Sequence, residues 1–188
     1  MICSKFSLET RRYLCRFYQI LDEMIAKMNG AELTCSISRN FIVQMTPHHE
    51  AAIQMSCNLL EYSDCAPVRE IAQNIIEEQT KSIENMRDIL ECCSMCSNSQ
   101  REWNGYQECF CQISQRMFRQ MRAAVSTDQI DVNFMREMIP HHEGAVRMSE
   151  NALRYPVCPE LIPILQAIIT SQRRGVRQME QLLRCFGA

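Results

Sequence analysis

Residues 45–56 read MTPHHEAAIQMS and residues 138–149 read MIPHHEGAVRMS. The chain holds 4 histidines, and these two stretches contain all of them. A shift of 93 residues carries His48 onto His141 and His49 onto His142. Upstream, the same shift carries Tyr13 onto Tyr106, Phe17 onto Phe110, Met24 onto Met117 and Met28 onto Met121. Downstream it carries Tyr62 onto Tyr155, Cys65 onto Cys158, Gln79 onto Gln172, Met86 onto Met179 and Cys92 onto Cys185, with no gap. Self-similarity at a fixed period marks one supersecondary unit written twice. The first unit covers 1–93 and the second 94–188, with the polar seam CCSMCSNSQ (92–100) at their junction.

Each unit reads as three helices. Phe17, Ile20, Leu21, Met24 and Met28 follow the i, i+3, i+4 spacing of one helical face. That places first helices at 8–29 and 101–123. Second helices are expected at 38–62 and 131–155, with Ser38 and Asp131 as N-caps. The breakers DCAP and YPVCP precede third helices at 67–92 and 160–185. There is no useful period-2 run, and Gly is scarce at 5. The expected fold is all-α: an antiparallel helical bundle of two three-helix repeats related by a pseudo-two-fold axis. A three-helix unit of this kind closes poorly alone, whereas two copies cover each other as a symmetric dimer does.

Composition excludes several functions. Net charge is −2 with no long basic run, so no nucleic-acid footprint is present. No apolar run approaches the ~20 residues that span a bilayer. Lys5, Glu9, Arg11 and Arg12 stand where a signal peptide would be apolar, so a cytoplasmic location is expected. In a reducing compartment the 12 cysteines read as free thiols or as ligands to a soft metal.

On a helix at ~100° per residue, Phe41, Met45, His48, Ala52, Met55 and Leu59 form one stripe, with His49 at its edge. The second unit repeats this with Met138, His141, His142 and Met148. Imidazole among thioethers suits Cu(I) and suits Zn(II), Mg(II) or Mn(II) poorly. Pro47 and Pro140 free the carbonyls of Val43 and Arg136, and a kink or fresh helix start there would turn the imidazoles inward. Gln79 and Gln172, with Met86 and Met179, lie on the apolar face of the third helices. Cys92, Cys93 and Cys96 in CCSMC would add thiolate ligands, as would Cys109, Cys111 and Cys57.

At M-x-P-H-H-E-x-A-x-x-M, followed by Q-x6-M on the next helix, the chain resembles a bacterial family known as domain of unknown function 305. The resemblance covers the second and third helices of both units. It implies a ferritin-like bundle and copper binding through His and Met. Carried over, the ligand candidates are Met45, His48, His49, Met55, Met138, His141, His142 and Met148, with Gln79, Met86, Gln172 and Met179 in second rank. The chain departs from the family in its cysteine content and in an N-terminus that is not expected to act as an export signal.

The expected function is therefore buffering, storage or transfer of copper(I), ahead of other transition metals. The partners expected are the metal ion and either a second copy of the chain or a metal-transfer protein. One alternative is a metal-free structural or interaction bundle. A metal-dependent oxidoreductase is a weaker alternative, because Glu50 and Glu143 point away from the stripe and Glu137 has Gln44 as its counterpart. No catalytic residue is assigned.

Overall fold

The apolar 3.6-residue periodicity is realised as helix throughout. The computed structural model describes residues 5–187. Residues 1–4, the beginning of the stretch read for a leader, lie outside the described residues. Among the described residues there are seven helices and no strand. The first unit supplies α1 (Leu8–Asn29), α2 (Ile37–Leu60) and α3 (Ala66–Asp88). A short α4 (Leu90–Ser94) leads into α5 (Gln100–Arg122), α6 (Ile130–Ala152) and α7 (Leu161–Cys185). The protein is an all-α helical bundle.

Two local expectations need correction. The N-caps of the second helices are Ser36 and Gln129, not Ser38 and Asp131. Ser36 Oγ accepts from the Arg39 backbone N–H at 3.2 Å, so α2 starts earlier than the pattern suggests. Asn40 fixes the approach to it: Thr34 N–H donates to Asn40 Oδ1 at 2.8 Å, and Asn40 Nδ2 donates to Thr34 O at 2.8 Å. The second unit repeats both bonds with Thr127 and Asn133, at 2.7 and 2.8 Å. The seam is also more ordered than a polar connector. Cys93 is fully buried in α4, Ser36 Oγ donates to its carbonyl at 2.6 Å, and Asn98 Nδ2 donates to Pro156 O at 2.8 Å. The N-terminal end of α2 and the loop before α7 are thereby tied to the connector.

Pro47 and Pro140 lie inside α2 and α6, with no fresh helix start at either. Within each unit the second helix packs on the first and third, and between units α2 packs on α6 and α3 on α7. Repeated buried bonds hold the first and second helices together. Asn58 Nδ2 donates to Tyr13 O at 3.1 Å, and Asn151 Nδ2 to Tyr106 O at 3.0 Å. Each such bond is worth about 1 kcal/mol. The α2–α6 crossing is the centre of the molecule and carries the histidines.

Candidate metal centre

Helices α2 and α6 meet at His48 and His141. Their rings stack with centroids 3.6 Å apart and planes 26° from parallel. Each has its sequence neighbour 5.8 Å away, His49 beside His48 and His142 beside His141. The two His-His pairs therefore form one four-imidazole cluster on the axis between the repeats. Met45, Met55, Met138 and Met148 are buried on the same two helices.

The sequence pattern put His49 and His142 at the edge of the inner stripe, yet all four rings are buried. Helices α3 and α7 cover that edge. His49 Nε2 lies 3.1 Å from Ser82 Oγ on α3. The equivalent place on α7 is Gly175, where a Cβ would sit 2.9 Å from His142 Cδ2 and 3.1 Å from Nε2. The glycine is thus required by the close approach of the ring.

Burial dominates the electrostatics. It lowers the basicity of His49 to about 3 and of His142 to about 4. His48 and His141 are pushed well below the usual value by burial first and by the neighbouring imidazoles second. The cluster is therefore neutral at pH 7, the form in which imidazole binds metal. His141 Nε2 faces the His48 carbonyl oxygen at 3.2 Å, a contact across the repeats and not to Arg136 in its own helix. With the proton donated there, Nδ1 keeps the lone pair. That Nδ1 has no hydrogen-bond partner, nor has His49 Nδ1, nor either ring nitrogen of His48. Buried polar atoms are nearly always satisfied, so a group of orphans asks for a ligand. Neutral imidazole nitrogen together with thioether, both buried on these two helices, is a donor set that fits Cu(I). It does not fit a three-histidine site: among the described residues, the group with three candidate His, Cys, Asp or Glu ligand atoms within 4.8 Å of one another is Cys92, Cys158 and Glu160.

Gln79 and Gln172 are buried as expected, but Gln79 bonds to no histidine and both its amide atoms lack partners. They line a cavity of about 440 Å³ between α3 and α7, which reaches His49. A second cavity of about 290 Å³ reaches His142 past Gly175. Glu78 and Arg174 form an ion pair and line both. The cavities thus reach the two outer histidines, whose rings are themselves buried, and not the stacked inner pair.

Carboxylates are engaged elsewhere. Glu50 pairs with Lys27 at 3.4 Å and Glu143 with Arg147 at 3.0 Å. Glu137 is buried, accepts from the Tyr13 hydroxyl at 2.7 Å, and is pushed up to about 8 by burial.

The cysteines divide. Cys57 and Cys111 are exposed and Cys109 half-buried, away from the histidines' inner face. Cys92, Cys93 and Cys96 gather around Cys158, with Cys92 Sγ 3.9 Å from Cys158 Sγ. Glu160 completes this group, accepting from the Cys158 thiol at 2.8 Å. Sequence reasoning missed Cys158 and Glu160 as site residues. The available signal was the repeat pair Cys65/Cys158, noted for its spacing and not for chemistry.

The family model described as "Domain of unknown function (DUF305)" matches residues 20–90 and 38–183. A crystal structure of a DUF305 fragment from Deinococcus radiodurans is similar at 25% identity, covering 78% of this chain and 95% of that one, with a TM-score of 0.58. No curated protein matches the chain.

Proposed function

The chain belongs to the DUF305 family, and from that premise we propose that it binds copper(I) at the α2–α6 crossing for buffering, storage or transfer. One observation carries the reading: fully buried, neutral imidazoles of His48 and His141, stacked on each other, whose free ring nitrogens have no protein partner. Neutral nitrogen and the thioethers of Met45, Met55, Met138 and Met148 make a soft donor set. His49 and His142, facing the cavities, would receive the ion from solvent and pass it inward. A cytoplasmic setting, where Cu(I) is the stable oxidation state, is part of the same proposal. Thiol and imidazole ligands must be free of protons, so affinity falls with acid.

The test is anaerobic Cu(I) titration of the full chain against a competing chelator. It is run in wild type, in H48A/H141A, and in a variant with Cys92, Cys96 and Cys158 replaced by Ser. Loss of at least one tightly held copper in H48A/H141A, with its retention in the cysteine variant, is the expected result. Equal copper in wild type and H48A/H141A, both folded by circular dichroism, would leave the cluster as core packing in a metal-free bundle.

A further inference from the structure

The cysteine group lies away from the histidines. It is built at the N-terminal end of α2, where Ser36 holds the Cys93 carbonyl and Ser38 Oγ accepts from the Cys158 backbone N–H at 2.8 Å. Ser36 precedes His48 by 12 residues, so the two regions are roughly 18 Å apart along the helix. Three chain segments converge here: α4 brings Cys92 and Cys93, the connector brings Cys96, and the loop before α7 brings Cys158 and Glu160.

We propose that Cys92, Cys96, Cys158 and Glu160, with Cys93 against the same sulfur, form a second metal site, for zinc(II), that clips the two repeats together. The geometry supports it directly. Ligand atoms of Cys92, Cys158 and Glu160 already lie within 4.8 Å of one another, and Cys96 and Cys93 neighbour the Cys158 thiol. The donor set chooses the ion. Zinc(II) takes sulfur and carboxylate oxygen together in a four-coordinate shell, whereas Cu(I) would leave the carboxylate out. Cys92 and Glu160 are exposed, which gives the ion an entry path, while Cys158 and Cys93 are buried and fix the sulfur positions. Binding displaces the thiol proton now shared with Glu160, and the other ligand thiols release theirs to solvent.

The opposite end of the molecule shows that the fold does not require this group. The 93-residue shift puts Cys185 and Cys65 at the places of Cys92 and Cys158, but Phe186 at that of Cys93 and Pro67 at that of Glu160. Phe186 is exposed there where Cys93 is fully buried, and among the described residues no ligand set forms at that end. The inference does not rest on the copper reading, since it shares no residue with the histidine cluster.

Cobalt(II), which reports thiolate ligation by a near-ultraviolet charge-transfer band, is the probe. Reduced, metal-free full-length protein is titrated with Co(II) and then with Zn(II) under argon. Four chains are compared: wild type, C92S/C158S, a C57S/C111S control, and H48A/H141A. One equivalent of Co(II) should produce the sulfur band, Zn(II) should bleach it, and C92S/C158S should abolish it. The control and the histidine variant should keep it. In wild type and control, zinc at 100-fold over its Kd should raise Tm by about 5–10 °C, and C92S/C158S should show no rise. Glu160→Gln gives a milder second variant, in which the band should persist with at least tenfold weaker binding. Absence of a sulfur band in wild type overturns the proposal. So does a band lost in H48A/H141A but kept in C92S/C158S. Cu(I) uptake by these sulfurs without Co(II) or Zn(II) uptake overturns the choice of ion. If the protein before reduction holds Cys92 and Cys158 as a disulfide and, once reduced, binds no metal, the group is a redox pair and the proposal fails.

Discussion

Tyr13 and Tyr106 occupy equivalent places one repeat apart, and both are wholly buried. The Tyr13 hydroxyl donates to Glu137 across the repeat interface. The Tyr106 hydroxyl has no partner, and neither has Oε1 of Gln44, which stands where Glu137 stands in the other repeat. The histidines show the same division: Ser82 faces His49, while Gly175 lies beneath His142. What the two repeats share is the set that makes the fold and the inner cluster: Met45/Met138, His48/His141, Asn40/Asn133 and Asn58/Asn151. What they do not share surrounds that set. Duplication has kept the centre and let its supports diverge, so the same substitution in the two halves should give different results.

The sharpest contrast is at Gly144, whose counterpart is Ala51. A Cβ on Gly144 would sit 2.2 Å from Met117 Sδ and 2.8 Å from its Cγ, and Met117 is fully buried. Gly144→Ala should cost toward the upper end of roughly 1–3 kcal/mol by overpacking. Ala51→Gly, which opens space, should cost roughly 0.5–1 kcal/mol through helix propensity alone. Urea denaturation of both variants reads the difference, and equal losses would remove this asymmetry.

Next come the tyrosines. Tyr13→Phe strands a buried carboxyl and should cost about 1–2 kcal/mol at pH 7. Tyr106→Phe removes a hydroxyl that satisfies nothing and should be neutral or slightly stabilising. If Tyr106→Phe costs as much as Tyr13→Phe, the two sites are equivalent after all.

The pH dependence separates the same features. The histidines have folded-state values below their unfolded value, so the unfolded chain binds more protons as pH falls from 6.5 toward 4 and 3, and stability is lost there. Glu137 has a folded-state value of about 8, above its unfolded 4.5, so its protonated form favours folding. Its contribution is complete below pH 4.5 and lost as pH rises through 8. Between pH 4.5 and 6.5 the two effects oppose, and four histidines outweigh one carboxyl. Tm of metal-free protein should therefore peak near pH 6.5. Glu137→Gln, which copies Gln44, should flatten the alkaline limb and steepen the rise between pH 4.5 and 6.5, and an unchanged alkaline limb would remove Glu137 from this role.

The smallest effect is expected at the outer histidines. Ser82→Gly removes one hydrogen bond to His49 and should cost under about 1.5 kcal/mol. Gly175→Ser inserts a Cβ against His142 and should slow copper entry on that side, with equilibrium affinity changing less than tenfold. Stopped-flow Cu(I) transfer from a chelator distinguishes rate from affinity, and an unaltered rate would exclude the α7 cavity as an entry path.

The helices, their order and the duplication were legible because Phe17, Ile20, Leu21, Met24 and Met28 write a periodic face and His48/His141 repeat at a fixed shift. The histidine stripe predicted an inner imidazole correctly at His48 and His141. Periodicity could not show that α3 and α7 close over His49 and His142, since the edge of a stripe is buried only by a neighbour. Nor could it bring Cys158 to Cys92, 66 residues apart, because that meeting depends on how the loop before α7 folds onto α4. The helix starts at Ser36 and Gln129 were missed because Asn40 and Asn133 organise the approach from inside the helix, where capping rules do not look.

Residues 95–99, the short connector that joins α4 to α5, turn the meeting of His48 with His141 into an event within one molecule. A tether of this kind sets an effective concentration on the order of millimolar, independent of how dilute the protein is. A pair of separately expressed halves, cut within the connector, would have to find each other in solution. Their histidine cluster would then form or dissolve with protein concentration, whereas the intact chain keeps it at any expression level.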